Sequence, residues 1–215
     1  MTEPRFVSPA VQEWRWHVPT ALLLTVVIYL PYLLGRALCL VGLGWRLQAF
    51  ELYLLVPGIA LLLVLPGAVG MLFRRTRRAA APTLCCALML LLGFVVVDLV
   101  GDRLRRLGFE NAAERARPLV AALQRYVEER GAPPEQVGDL VPKALDRMPE
   151  KLPELKVLIG DEAMHTYGTR WALEADVSTG SFNWDRWVWL PKGAAPMSRD
   201  DRTSQRTGDW WWVRE

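Results

Sequence analysis

The fold is decided by residues 79–130, AAAPTLCCALMLLLGFVVVDLVGDRLRRLGFENAAERARPLVAALQRYVEER, where an uncharged segment continues into an amphipathic one. Residues 79–97 carry no charge over 19 positions. An apolar helix of about 20 residues crosses the roughly 30 Å hydrocarbon core of a bilayer. From residue 102 to 130, apolar side chains recur every three or four positions, which predicts an amphipathic helix. The segment therefore predicts a membrane helix that runs on into a folded domain.

Two further uncharged runs precede this segment. One covers residues 18–35 and resumes beyond Arg36, and the other covers the 22 residues 52–73. The first is too long for a cleaved signal peptide, and His17 beside two tryptophans is typical of a membrane-interface anchor. We predict three transmembrane helices, at about 18–40, 52–73 and 79–100.

The charged side chains divide the chain at the end of the third run. Residues 1–101 hold eight arginines and four carboxylates, whereas residues 102–215 hold 18 basic and 19 acidic groups. This division excludes a single soluble domain, a disordered chain and a basic nucleic-acid binder. The three cysteines lie in apolar runs, so no disulfide links residues 102–215. We predict a transmembrane region over 1–101 and a separate domain over 102–215.

The link between the second and third spans predicts the orientation. Its sequence RRTRR contains Arg74, Arg75, Arg77 and Arg78. Short arginine-rich links stay in the cytoplasm. The N-terminus is then cytoplasmic and the domain extracytoplasmic. The numbers of arginines predicted on the two sides of the membrane are nearly equal. The predicted orientation therefore depends on the density of positive charge in the short link.

The domain sequence predicts one long helix followed by an antiparallel meander. The helix ends at Gly131, and Pro118 kinks it or starts a second helix. A short helix and a turn follow over 133–149. From Leu155 the apolar period changes to two, which predicts three or four strands with a polar loop at 192–209. The predicted class is therefore α+β, a long helix packed on a three- or four-stranded sheet.

The front of this domain resembles the type IV pilins and type II secretion pseudopilins. The residues that carry the resemblance follow the helix in a characteristic order: Tyr126, Gly131, Pro133 or Pro134, Leu140, Val141, Pro142 and Leu145. The resemblance covers about residues 85–215, and it implies a pilin-like fold in a bacterial inner membrane with the domain in the periplasm.

One departure argues against a filament subunit. A prepilin carries Gly-Phe before its apolar stretch, whereas Gly93-Phe94 lies at the end of the apolar run here. Cleavage there would release a product without a membrane segment. The sequence therefore favours a pilin-like domain that stays fixed in the membrane.

Tryptophans are the most unusual candidate site, because seven of the ten lie between Trp171 and Trp212. Strand alternation places them on both faces of the predicted sheet. One face packs on the helix, and the other forms a candidate binding surface for a protein partner, a cell-wall glycan or the outer leaflet. We define the aromatic patch as Trp184, Trp187, Trp189, Trp210, Trp211 and Trp212.

Metal sites are weaker candidates. Asp200, Asp201 and Asp209 lie in the polar loop, and the pseudopilin resemblance implies calcium in a loop before the last strand. Arginines interleaved with these carboxylates favour a solvated loop instead. Asp161 and His165 are four residues apart, but a strand or turn is predicted there, which would separate them.

No catalytic motif is recognised in the sequence. The leading hypothesis is a non-enzymatic integral membrane protein whose partners are the lipid bilayer and an envelope protein or cell-wall glycan, without nucleic acid. An accessory subunit of a type II secretion or type IV pilus-like machine is one alternative. A membrane enzyme with an unrecognised carboxylate site is another.

Overall fold

The computed structural model describes residues 9–43, 51–177, 185–191, 194 and 204–214, with side chains from residue 17 and from residue 55 in the first two ranges. These residues form two compact units. The first contains residues 9–34 and 51–101, and the second contains residues 35–43 and those from 102 onward. Along the chain, one boundary therefore falls between Gly101 and Asp102.

Three long helices carry the apolar segments. Helix α1 spans Pro9–Leu38, α2 spans Glu51–Leu72 and α3 spans Arg77–Arg130. Each contains a stretch that is long and apolar enough to cross a membrane, by length and composition. The three apolar helices predicted from the sequence are thus confirmed. A 3-10 helix at Cys39–Val41 follows α1 and belongs to the second unit.

Close helix contacts hold the first unit together. A β-carbon at Gly93 of α3 would lie only 2.5 Å from Cγ2 of Thr25 on α1. Nearby, the buried hydroxyl of Tyr29 donates a hydrogen bond of 2.9 Å to the Leu90 carbonyl. Small residues of this kind let membrane helices approach closely. Gly93 therefore lies in a helix–helix contact.

The second unit contains a five-stranded sheet, one strand more than the sequence predicts at most. Its strands are β1 (Leu155–Ile159), β2 (Trp171–Asp176), β3 (Arg186–Trp189), β4 (Ser204–Thr207) and β5 (Trp210–Val213). The spatial order is β1-β2-β3-β5-β4, and every neighbouring pair is antiparallel. An antiparallel α+β domain is therefore confirmed, with a different strand count.

The additional strand is β4, which lies inside the predicted polar loop. Thr207 pairs with Trp210 across a two-residue turn in which Gly208 has a φ of 65°. A Gly-Asp pair favours such a hairpin turn because glycine accepts positive φ. Since β4 is an edge strand, its side chains need not alternate between polar and apolar. The hydrophobic pattern consequently does not reveal it.

Helical assignments also differ from the prediction at three places. Helix α4 occupies Asp161–Tyr167, where a strand or turn was predicted, and it ends at Gly168 with a φ of 67°. The short helix predicted over 133–149 is reduced to a 3-10 helix at Val137–Leu140. Helix α3 continues through Pro118 without a break.

The sheet is covered on both faces. Helix α3 packs on one face through a set of buried apolar residues: Phe109, Ala112, Ala116, Leu119 and Leu123. Helix α4 packs on the other through Ala163 and Tyr167, against Leu158 of β1 and Val188 of β3. The larger core therefore lies between α3 and the sheet.

Candidate functional site

Four members of the aromatic patch lie in the core instead of on the surface. Trp187, Trp189, Trp210 and Trp212 are each at most 3% exposed, and they pack against α3. The rings of Trp187 and Trp210 stack with centroids 3.7 Å apart. Alanines on the facing side of α3 leave room for these rings. These four members of the aromatic patch thus form the face that packs on the helix, because strand alternation directs them at α3, and they do not contribute to a surface for binding.

Of the two remaining members of the aromatic patch, Trp211 and Trp184, the structure describes only Trp211. Trp211 is half-buried on the α4 face, with the Arg206 guanidinium 5.9 Å from its ring. It is the one described tryptophan of the sheet on that face, which α4 partly covers. Trp184 lies outside the described residues. Among the described members of the aromatic patch, Trp211 is thus the one that is not buried.

A buried charge cluster occupies the end of the larger core. Arg105 of α3 forms an ion pair with Asp185, just before β3, with Nη1 and Oδ2 2.6 Å apart. Both side chains are only 2% exposed. Asp185 Oδ2 also accepts a hydrogen bond of 2.9 Å from Trp212 Nε1, and Arg105 Nη2 donates to the Val177 carbonyl. The Arg105 guanidinium lies 5.0 Å from the Trp212 ring centre.

This cluster links four parts of the second unit. It joins α3 to the residue after β2, to the residue before β3, and to β5. Because removal of one member leaves the opposite charge buried, such a pair fixes one arrangement of the elements that it joins. The buried pair therefore contributes to holding α3 on the sheet.

The sequence pattern did not predict the cluster, because it predicts only part of the buried stripe of α3. The sequence pattern predicts a stripe through Leu104, Leu107, Ala112, Ala116, Leu119, Leu123 and Tyr126. Its part from Ala112 to Leu123 is buried, but Leu104 is half-buried and Leu107 is exposed. Before Ala112 the buried line runs through Phe109 and Arg105, which lie one turn apart. An arginine on an apolar stripe was the available signal for a buried partner.

A second polar contact lies under α4. The Tyr167 hydroxyl donates a hydrogen bond to Oε2 of Glu174 on β2, and Arg186 Nη1 lies 3.6 Å from the same oxygen. Burial raises the pKa of Tyr167, and the neighbouring Glu174 raises it further. This contact ties the end of α4 to the sheet.

The structure does not test the calcium prediction as a whole. Asp200 and Asp201 lie outside the described residues, and Asp209 is exposed in the turn between β4 and β5. Asp161 and His165 are exposed one turn apart on α4. Among the described residues, no group of three or more His, Cys, Asp or Glu side chains is placed to hold a metal.

The four arginines of the link are all exposed, between the end of α2 and the first turn of α3: Arg74, Arg75, Arg77 and Arg78. Thr76 closes this link by donating a hydrogen bond of 2.7 Å to the Gly70 carbonyl. The link between the two helices is therefore short, and its four arginines are exposed.

Strand β1 forms an open edge of the sheet. The Gly160 N–H donates to the Arg170 carbonyl at 3.0 Å. Because hydrogen-bonded pairs alternate in antiparallel sheets, the main-chain groups of Leu155, Val157 and Ile159 point away from β2. Within the described residues, no main-chain hydrogen bond reaches these outward groups. Such an edge is a template for a further strand.

A groove of about 680 Å³, here called the β1 groove, runs along this edge. Its walls are residues 152–158 together with residues 135–138 and 148–149. Three carboxylates line it, those of Glu135, Glu154 and Glu162, against the single cation of Lys156. The β1 groove therefore combines main-chain groups that have no main-chain partner among the described residues with a lining that contains more carboxylates than cations.

In comparisons with known proteins, no family model matches this chain, and neither a curated protein nor a solved structure matches it.

Proposed function

We propose that this chain is a non-enzymatic integral membrane protein that displays a pilin-like α+β domain for binding or assembly in the bacterial cell envelope. In this proposal the three apolar helices cross the cytoplasmic membrane, the arginine-rich link stays in the cytoplasm, and the second unit is in the periplasm. The observation that carries the binding role is the open edge of β1 beside the β1 groove.

The surface of the three apolar helices supports the membrane location. Large apolar side chains on them are exposed, and Leu62 and Leu72 each expose 76% of their surface. Exposed apolar area costs about 25 cal/mol per Å² in water, so soluble proteins rarely keep large contiguous areas of it. Lipid removes this cost.

The β1 groove supports a particular mode of binding. A peptide in extended conformation can add a strand to an open edge, with main-chain hydrogen bonds to Val157 and side chains in the flanking groove. The excess of carboxylates in the groove favours a peptide with lysine or arginine. We therefore propose a basic, extended segment of an envelope protein as the partner.

The experiment uses site-specific photo-crosslinking in living cells that express the full chain. A photoreactive residue replaces Ile159, which is 43% exposed on β1, or Arg117, an exposed residue of α3 that serves as the control. We expect an adduct with an envelope protein at position 159 and none at 117.

The variant Val157→Pro then tests strand addition. Because the Val157 N–H points away from β2, proline removes an outward donor and spares the sheet bonds. We expect loss of the adduct at position 159 with unchanged abundance of the protein. Absence of an adduct at 159, or its persistence in Val157→Pro, would contradict the proposed partner mode.

A further inference from the structure

Helices α2 and α3 form an apolar groove beside the link that connects them, here called the α2–α3 groove. Its volume is about 320 Å³, and its walls are Met71 of α2 and one face of α3 between Ala81 and Leu92. That face includes Cys85 and Leu88, at the three- and four-residue spacing of neighbours on a helix surface. Every lining side chain is apolar or a thiol. The groove therefore offers an apolar surface to a ligand along its whole length.

The length of the α2–α3 groove matches one leaflet of a bilayer. At an axial rise of about 1.5 Å per residue, α3 advances about 16 Å from Ala81 to Leu92. One leaflet supplies half of the roughly 30 Å hydrocarbon core. In the membrane location proposed above, the groove begins next to the link at the membrane surface and ends near the middle of the core. It thus has the position and length of one lipid acyl chain.

Arginines lie at the end of the α2–α3 groove that is nearest the link. Arg77 Nε donates a hydrogen bond of 3.1 Å to the carbonyl of Met71, which lines the groove, so this guanidinium lies at the groove's end. Arg78 is in the first turn of α3, three residues before Ala81. Among the described residues, no ion pair engages any of the four arginines of the link.

The positive charge of the link is not balanced by acidic residues nearby in the chain. Its four arginines are the only charged side chains at positions 52–97. Basic residues at the end of a membrane helix attract anionic lipid headgroups, and a guanidinium binds two phosphate oxygens at once. A phospholipid joins such a phosphate to an acyl chain. The arginines and the groove therefore match the two ends of a single ligand.

We propose that the α2–α3 groove binds one anionic phospholipid, with its phosphate on Arg77 and Arg78 and one acyl chain along α3 as far as Leu92. Arg74 and Arg75 add to the positive potential that selects a headgroup with net negative charge. This inference rests on the membrane location in the proposed function, and it is independent of the partner proposed for the β1 groove.

Native mass spectrometry of the delipidated full-length protein, released from nonionic detergent, counts bound lipids and gives their dissociation constants. The probes are phosphatidylglycerol and phosphatidylcholine with the same long chains, and phosphatidylglycerol with short chains. We expect one long-chain phosphatidylglycerol per protein, bound about 25-fold more tightly than phosphatidylcholine, because each of two arginines contributes about fivefold. Short-chain phosphatidylglycerol should bind more weakly than the long-chain form, since it leaves most of the groove empty.

Arginine variants test the headgroup end of the site. Arg77→Gln/Arg78→Gln should lose most of the preference for phosphatidylglycerol, whereas Arg77→Lys/Arg78→Lys keeps the charges and retains part of it. The matched control is Arg117→Gln/Arg125→Gln, which should bind as the wild-type protein does. Both control residues are exposed on α3 beyond its apolar segment, and Arg125 Nε also donates to a main-chain carbonyl.

A groove variant tests the acyl-chain end. Cys85→Phe places a ring in the α2–α3 groove, so it should remove the advantage of long chains over short ones. Leu62→Phe on α2 is the control, because Leu62 exposes 76% of its surface and does not line the groove.

The proposal is overturned by equal affinity for phosphatidylglycerol and phosphatidylcholine, by an unchanged preference in Arg77→Gln/Arg78→Gln, or by an unchanged effect of chain length in Cys85→Phe. A lipid-free dimer that Cys85→Phe dissociates would place a second copy in the groove and would also overturn it. Carbonate extraction of membranes from cells that express the full chain tests the proposed function separately. Release of the chain refutes the membrane location, whereas retention together with any of the results above refutes the lipid site alone.

Discussion

Replacement of Asp185 by asparagine tests whether the buried ion pair holds the second unit together. The substitution keeps the shape of the side chain but removes the charge 2.6 Å from Arg105, which is only 2% exposed. Removing one partner of a buried pair costs about 3–5 kcal/mol. The new amide oxygen still accepts from Trp212 Nε1, so we expect a loss of about 3 kcal/mol, at the lower end of that range.

Urea unfolding of the full-length protein in nonionic detergent, followed by near-ultraviolet circular dichroism, measures this loss. The control is Asp102→Asn, which breaks the pair of Asp102 with Arg214, whose N···O distance is 2.9 Å. Those side chains are 34–41% exposed, and exposed pairs contribute about 1 kcal/mol or less. The double variant Arg105→Met/Asp185→Leu should recover at most part of the loss: it removes the unpaired buried charge, but it also removes the partners of Trp212 Nε1 and the Val177 carbonyl.

The loss of stability in Asp185→Asn relative to that in Asp102→Asn also defines the result that would contradict this prediction. If Asp185→Asn reduces the free energy of unfolding by no more than Asp102→Asn does, the buried cluster does not hold the elements together.

Three further predictions concern packing and pH. Gly93→Ala should destabilise the protein by about 1–3 kcal/mol through overpacking, whereas Gly58→Ala, whose β-carbon meets nothing within 4 Å, should not; thermal unfolding compares them. Trp187→Ala should cost about 3–5 kcal/mol in the same assay, and the half-buried Trp211→Ala less. Because the folded state raises the pKa of Tyr167 above its usual value of about 10, its contribution is complete below about pH 10 and falls as pH rises further. The drop in unfolding free energy from pH 9 to pH 11 should shrink in Tyr167→Phe; an unchanged drop contradicts this assignment.

The sequence predicted the structure correctly where that structure depends on residues that are close together in the chain. An uncharged run such as residues 79–97 predicts a helix because its length and composition alone meet the requirement of a bilayer. Strand alternation likewise placed Trp187 and Trp189 on one face and Trp211 on another. The pattern did not show which face is exposed, because that depends on α3 and α4 covering the sheet.

The candidate sites depend on contacts between distant parts of the chain. Arg105 and Asp185 are 80 positions apart, and local periodicity cannot pair them. Strand β4 was missed for a related reason, since its residues satisfy main-chain hydrogen bonds with β5 and bury little.

Cysteine labelling in intact cells tests the central claim, a membrane-anchored protein with its second unit outside the cytoplasm. Arg117→Cys and Arg75→Cys are introduced separately into the full chain, with the three native cysteines replaced by alanine. A membrane-impermeant maleimide is added before or after lysis. The account predicts that Arg117→Cys reacts before lysis and that Arg75→Cys reacts only afterwards. Labelling of Arg75→Cys alone in intact cells, or of neither variant, contradicts it.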